Sequence, residues 1–261
     1  MQPFWQTEFG DGPLVACAVH NGHDVRPEVA ACLRLDAAER IYEEDPHTGA
    51  WTRIAPTRVV ARRSRFELDL NRPREKAIYL TPEDSWGLDV WKCRPAPEMV
   101  EQSLRAYDDF YAHLRFLLER LVARHGRVIV FDLHSYNHTR QGQGGARADP
   151  AANPEINLGT GTMDRRRWSA IVERWLAEMR GYDYFGRRLD VRENVRFYGG
   201  HLPAWIHEQF PETVCALAVE VKKFFMDEWT VELDERQHSE LQAALTRAAT
   251  GVAHELEKGT A

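Results

Sequence analysis

Cysteine is scarce: only Cys17, Cys32, Cys93 and Cys215 occur in 261 residues, and no two of them form a CxxC pair. That excludes a disulfide-stapled scaffold and the cysteine-rich zinc modules, and makes reduced thiols in a cytoplasmic protein the economical expectation. Cys17 and Cys215 sit in apolar runs, where cysteine acts as a small buried hydrophobe rather than a nucleophile. Long hydrophobic stretches are also missing. No run approaches the roughly 20 apolar residues of a membrane span, and Met1 to Gly10 lacks the layout of a secretory signal. Charge of one sign is not concentrated either, since 34 basic and 40 acidic residues are interspersed to a net of -6. A nucleic-acid footprint is therefore not expected, nor is a membrane partner. Repeats and low-complexity tracts are absent, and 43% apolar with 28% charged residues is ordinary for a globular chain. The length suits one domain covering 1–261.

What is present is an alternation of apolar runs and amphipathic segments. Leu14 to Val19 is continuously apolar, as in a strand buried on both faces, and opens into a turn at His20 and Gly22. Pro27 to Leu35 reads as a short helix and Ala38 to Pro56 as loop. Phe66, Leu68 and Leu70 alternate with Glu67, Asp69 and Asn71, the period of a strand with one polar face. Ala77 to Leu80 reads as a further strand, followed by a long loop over Thr81 to Pro97. Pro97 to Arg124 is the clearest helix, with an apolar stripe from Met99 to Leu121 and Gly126 as its stop. It leads into Arg127 to Leu133, a central strand ending at His134. Gln141 to Asn153 reads as a surface loop near the site. Asp164 caps a helix over Arg165 to Arg180, Leu189 to Phe197 alternates like a strand, and Pro203 to Gln209 opens a short helix. Thr213 to Val221 is another buried strand, and Asp234 caps a last helix to about Glu257. This order predicts an α/β fold, three layers α/β/α around a central mixed, mostly parallel sheet. Ligands of such sheets bind at the carboxyl ends of strands, where His20, His134 and Glu220 fall.

These residues carry a specific chemistry. His20 and His23, separated by a glycine turn, can face one ion, and His134 adds a third imidazole, the ligand number of an open catalytic zinc site. Two exposed loop histidines are the plainer reading of the first pair alone. Asp132 is placed to accept a hydrogen bond from the second ring nitrogen of one ligand. Glu220 closes an apolar strand, where an unpaired carboxylate is costly. Beside activated water it serves as general base, and the plainer alternative is an ion pair with Lys222 or Lys223. Arg65 and Arg72 offer guanidinium groups suited to a carboxylate or a developing oxyanion. Ser135 lacks the Gly-x-Ser-x-Gly elbow of a nucleophile and is read instead as a donor behind the metal ligands.

The motifs together resemble the N-formylglutamate amidohydrolases, a family grouped with the zinc carboxypeptidases and aspartoacylases. His20-Asn-Gly is similar to the family's His-Ser-Gly, and Arg65-Phe-Glu-Leu-Asp-Leu-Asn-Arg72 to its Arg-Tyr-Val-x-Asp-x-Asn-Arg. Val130-Phe-Asp-Leu-His-Ser135 resembles its Asp-x-His-Ser strand. Asn157-Leu-Gly-Thr160, Phe197-Tyr-Gly-Gly200, Ala218-Val-Glu-Val-Lys222 and Phe225-Met-Asp-Glu228 resemble later segments. The resemblance implies a carboxypeptidase-like (phosphorylase/hydrolase-like) fold and one Zn2+ held by His20, His23 and His134. It also implies Glu220 as general base, Arg65 as the carbonyl-polarising arginine, and Asn71 with Arg72 as the substrate-carboxylate clamp. Tyr198, Gly199 and Gly200 fall in the substrate-binding segment. Two positions depart from the pattern. The group has Glu at the second ligand position, where this chain has His23, with Asp24 as the alternative. Tyr198 and the basic Lys222-Lys223 alter the surroundings of the substrate. The implied reaction is hydrolysis of an N-acyl amide, N-formyl-L-glutamate being the model substrate. Other N-acyl amino acids or peptides, or a non-catalytic metal-bound homologue, are the alternatives.

Overall fold

Two nine-residue strands, Val128–Tyr136 (β4) and Val214–Lys222 (β7), form the centre of the molecule in the computed structural model, which describes residues 3–139 and 145–258. They run parallel, in register from Val128 opposite Val214 to Tyr136 opposite Lys222. Trp5–Glu8 (β1), Leu14–Ala18 (β2), Thr57–Ala61 (β3), Ile156–Gly159 (β5) and Val191–Glu193 (β6) complete a sheet of order β1-β3-β2-β4-β7-β5-β6. The contiguous block β3-β2-β4-β7 is parallel, while β1 joins β3 and β5 joins β7 antiparallel. The sheet is mixed and mostly parallel in its core, as expected.

The inner strands are apolar on both faces because helices cover both. On one face Val15, Cys17, Val128, Val130 and Ala216 pack against Phe110, Leu114 and Leu118 of helix Pro97–His125 and Leu202 and Ile206 of helix His201–Gln209. On the other, Ile129, Phe131 and Leu217 meet Trp175 and Leu176 of helix Ser169–Gly181 and Leu241 and Leu245 of helix Glu235–Lys258. Each buried Val, Leu, Ile or Phe among them stabilises the fold by roughly 1.5–3 kcal/mol. In chain order the helices are α1 (Pro27–Ala30), α2 (Ala37–Glu43), α3 (Thr48–Trp51), α4 (Pro97–His125), α5 (Ser169–Gly181), α6 (His201–Gln209) and α7 (Glu235–Lys258). None of them is long and apolar enough to cross a membrane.

Several expectations need correction. Residues 66–71 are not a strand: the Ser64 carbonyl accepts from the amides of Glu67 and Leu68, which bends the chain into a turn. The alternation misleads because Glu67 and Asp69 are buried as fully as the apolar residues between them, each neutralised by arginine. Ala77 to Leu80 is also irregular. The predicted loop 38–56 contains α2 and α3, α2 starting at a capping box between Asp36 and Glu39. The strand predicted over 189–197 shortens to β6, and the outer strands β1, β3 and β5 were not foreseen. Cys32 and Cys93 form a disulfide, Cα to Cα 5.4 Å, rather than staying reduced. Cys17 and Cys215 are free and buried, and burial pushes both thiols up, away from reactivity. Of the predicted loop 141–153, residues 141–144 lie outside the described residues.

Candidate metal centre

The parallel strands present their carboxyl ends along one edge, and the site is built there. His20 lies two residues beyond β2, His134 near the end of β4, and Glu220 near the end of β7. His134 and Glu220 are register partners in adjacent strands, so both side chains stand on the same face, one strand spacing apart. Gly22 turns the chain after His20. A Cβ there would come within 2.3–2.4 Å of the Arg62 and Arg63 backbone, so only glycine lets the turn pack this closely.

The third group at the centre is Asp45, two residues past α2. His20 Nδ1 lies 3.5 Å and His134 Nδ1 2.9 Å from the same Asp45 Oδ2. One potential ligand atom from each of the three lies within 4.8 Å of the others, and all three residues are buried. Two donors about 2.1 Å from a tetrahedral ion stand roughly 3.4 Å apart, so these separations match a shared cation. The second ring nitrogens are also engaged. His20 Nε2 donates to Asp69 Oδ1 at 2.7 Å, and His134 Nε2 is 3.0 Å from Asp132 Oδ1. The carboxylate behind His20 fixes the tautomer that leaves its Nδ1 for a metal, while His134 Nε2 also lies 3.3 Å from Asn71 Nδ2. Asp132 is fully buried and, among the described residues, neither oxygen has a hydrogen bond, so its charge calls for a cation close by. The donor set, two imidazoles and one carboxylate with carboxylates behind them, fits zinc.

Electrostatics agree with this reading. Burial alone would push the His134 imidazole down, but Asp132, Asp45 and Glu220 outweigh it and raise it well above its usual value. Burial would raise Asp45, yet His134 and His20 hold it well below the carboxylate range. Asp69 behaves likewise, burial being overcome by Arg65 and His20. Glu220 is the exception. Burial raises it, His134 opposes, and Asp45 and Asp132 add to the rise, pushing it up to about 7. Among the described residues no ion pair engages Glu220, and the ammonium of Lys223 is directed instead to the carbonyls of Tyr42 and Glu44.

A cavity of about 770 Å³ opens over the triad. It brings together most of the predicted residues: His20, His134, Glu220, Arg65, Asn71, Arg72, Ser135, Tyr198, Gly199 and Gly200 all line it. Asp132 lies beneath it, against His134. His23 and Asp24 are not brought to it. The Glu44 carboxylate captures His23 Nδ1 at 2.6 Å, while Asp24 is exposed, its backbone paired with Arg62 and Ser64. Asp45, in a segment read as loop, supplies the third position in space.

The cavity walls are set by local geometry. Arg65 is held by Asp69 at 2.7 Å and Tyr79 at 3.1 Å. Arg72 differs: among the described residues no hydrogen bond or ion pair engages its guanidinium, which lies 5.8 Å from the Trp86 ring and 5.9 Å from that of Tyr79. Trp86, unforeseen by motif, also stands 4.8 Å from the Arg65 guanidinium. Asn71 accepts from the Leu202 amide at 2.8 Å, and a Cβ on Gly200 would sit 2.4 Å from its side chain. Gly199 has φ 115°, a conformation that glycine adopts readily. Tyr198 is exposed at the rim, and Ser135 Oγ is buried without a hydrogen-bond partner among the described residues.

Comparison with known proteins agrees with this architecture. Residues 12–226 match the family model of N-formylglutamate amidohydrolase. The chain is similar in structure to N-formylglutamate amidohydrolase from Ralstonia eutropha JMP134, with TM-score 0.76 and 19% identity over 98% of each chain. It is also similar to a gene product of Agrobacterium tumefaciens, with TM-score 0.66 and 18% identity over 98% of this chain and 97% of the other. No curated protein matches the chain. The family match spans most of the sequence and includes all three residues of the triad, so the chain belongs to the N-formylglutamate amidohydrolase family.

Proposed function

We propose that the protein is a zinc-dependent amidohydrolase that cleaves the N-acyl amide of a carboxylate-bearing amino acid, with N-formyl-L-glutamate as the model substrate. The observation that carries this reading is one cavity in which His20, Asp45 and His134 converge beside Glu220 while, among the described residues, no hydrogen bond or ion pair engages the Arg72 guanidinium. His20, Asp45 and His134 would hold the ion, with Asp69 and Asp132 orienting the imidazoles. Bound zinc supplies Lewis acidity, acidifying water and polarising the amide carbonyl.

The remaining work belongs to side chains. Glu220, pushed up to about 7, takes a proton from the attacking water as its oxygen bonds to the acyl carbon. It returns that proton to the nitrogen as the C–N bond breaks, releasing a carboxylic acid and the free amino acid. Arg72 pairs with the substrate carboxylate, with Asn71 beside it, and stacking on Trp86 and Tyr79 keeps the guanidinium in place. Arg65, fastened to Asp69 and Tyr79, faces the carbonyl as oxyanion stabiliser. Tyr198 and the Gly199-Gly200 segment border the substrate.

The test is a panel of N-formyl-L-glutamate, other N-acyl amino acids and free peptides, run with zinc content measured on the same preparation. Hydrolysis of N-acyl amino acids by the wild type is expected, with activity lost and zinc kept in Glu220→Gln. An active Glu220→Gln would remove the general base from this scheme. Hydrolysis of peptides alone would assign a carboxypeptidase-type activity instead. A zinc-bound wild type inert toward the whole panel would indicate a non-catalytic homologue.

A further inference from the structure

Lys223 is the least expected residue of the cavity wall. It is 1% exposed, follows directly on β7, and crosses the strand ends to a segment about 180 positions earlier in the chain. Its ammonium donates to the Tyr42 carbonyl at 2.8 Å and the Glu44 carbonyl at 2.7 Å. Burying an ammonium is costly, and carbonyl acceptors offset that cost only when the geometry is kept. The position of the two carbonyls explains the arrangement. The Glu44 carbonyl belongs to the peptide unit that joins Glu44 to Asp45, and the N–H of that same unit donates to the His20 carbonyl at 2.9 Å. The unit is gripped at both ends, by Lys223 on its oxygen and by the backbone of a ligand histidine on its nitrogen. Tyr42, at the other end of the clamp, also receives Asn137 Nδ2 at 2.7 Å.

We propose that Lys223 is a positioning residue for the metal site: by clamping residues 42–44 it aims the Asp45 carboxylate between His20 and His134. The inference rests on the zinc reading above and extends it to a residue that does not touch the ion. Its sign separates it from simple electrostatics. Lys223 is a cation near a dication, so Coulomb's law alone makes its removal strengthen zinc binding. Loss of positioning makes removal weaken binding, by the roughly 10- to 100-fold typical of residues that orient metal ligands.

The experiment measures zinc affinity by chelator competition, and the melting temperature of the chelator-stripped protein, for wild type and Lys223→Met. The expected result is a zinc Kd raised at least 10-fold while the stripped protein melts close to wild type. A Kd that is equal or tighter overturns the role. Should Lys223→Met fail to fold, Asn137→Ala releases the same Tyr42 carbonyl from the other side. A several-fold weaker Kd is then expected, and an unchanged one overturns the clamp. A wild-type chain that binds no zinc overturns the proposed function itself, an outcome distinct from a zinc-binding wild type with an indifferent Lys223→Met.

Discussion

Glu220 makes the metal-free protein sensitive to pH in a direction that can be worked out beforehand. Burial, with Asp45 and Asp132 adding to it and His134 opposing, lifts its carboxyl from 4.5 to about 7. Below pH 4.5 the group is protonated whether the chain is folded or not, and its contribution to the folded state is fully present. Between 4.5 and 7 the unfolded chain ionises while the folded one holds its proton, so stability falls as pH rises. Above 7 the loss is complete. At 1.36 kcal/mol per pH unit the total is about 3 kcal/mol, which for a chain of this size corresponds to a melting shift of about 10 °C. Asp45 and Asp69, held low, act in the opposite sense on the acid side, and His134, held high, loses its contribution as pH rises through its raised value. The difference between wild type and Glu220→Gln isolates the one carboxyl.

The assay is thermal unfolding of chelator-treated wild type and Glu220→Gln from pH 4.5 to 8. The wild type should lose about 10 °C against the variant between pH 4.5 and about 7 and then hold level. Repeating the series with zinc should close most of the gap, because a dication beside Glu220 favours its ionised form. Parallel curves for the two stripped proteins would refute the placement of Glu220 as a buried carboxyl among other carboxylates.

The ligand set gives the next expectation: Asp45→Ala and His134→Ala should lose zinc in a metal assay while His23→Ala retains it, and zinc loss in His23→Ala with retention in Asp45→Ala would reverse the assignment. Arg72→Met should raise KM roughly 30-fold or more for a carboxylate-bearing substrate with kcat little changed, as for a group that binds substrate and transition state alike. An unchanged KM would place the carboxylate elsewhere. Replacing Cys32 and Cys93 with serine opens a loop of 61 positions and should cost about 4 kcal/mol in urea unfolding. Equal stability would mean that the cross-link constrains little of the unfolded chain.

What was legible in the sequence follows from how far each signal travels along the chain. The inner strands β2, β4 and β7 and the helices α4, α5 and α7 declare themselves because sheet burial imposes unbroken apolar runs and helical packing imposes a stripe, both local patterns. His20, His134 and Glu220 inherit that clarity from the strand ends they occupy. The outer strands β1 and β3 carry less of it. Thr57 to Ala61 is only five residues long and has Arg58 as its second, and the alternation over 66–71 hid a turn because Glu67 and Asp69 are buried by ion pairs that spacing does not reveal. The third group beside His20 and His134 shows the same limit most sharply. The resemblance implies a ligand at position 23, where the related group has Glu and this chain has His23, with Asp24 as the alternative. That imidazole is taken by Glu44, the residue just before Asp45. The acidic partner for the two histidines has thus been delivered from a different loop, 25 positions downstream in the sequence and directly bonded, through its own amide, to the His20 carbonyl. Of these two adjacent acids, Glu44 holds His23 and Asp45 stands beside His20 and His134. Only the folded chain shows that the Glu44-Asp45 pair and the His20-to-His23 turn are one electrostatic unit.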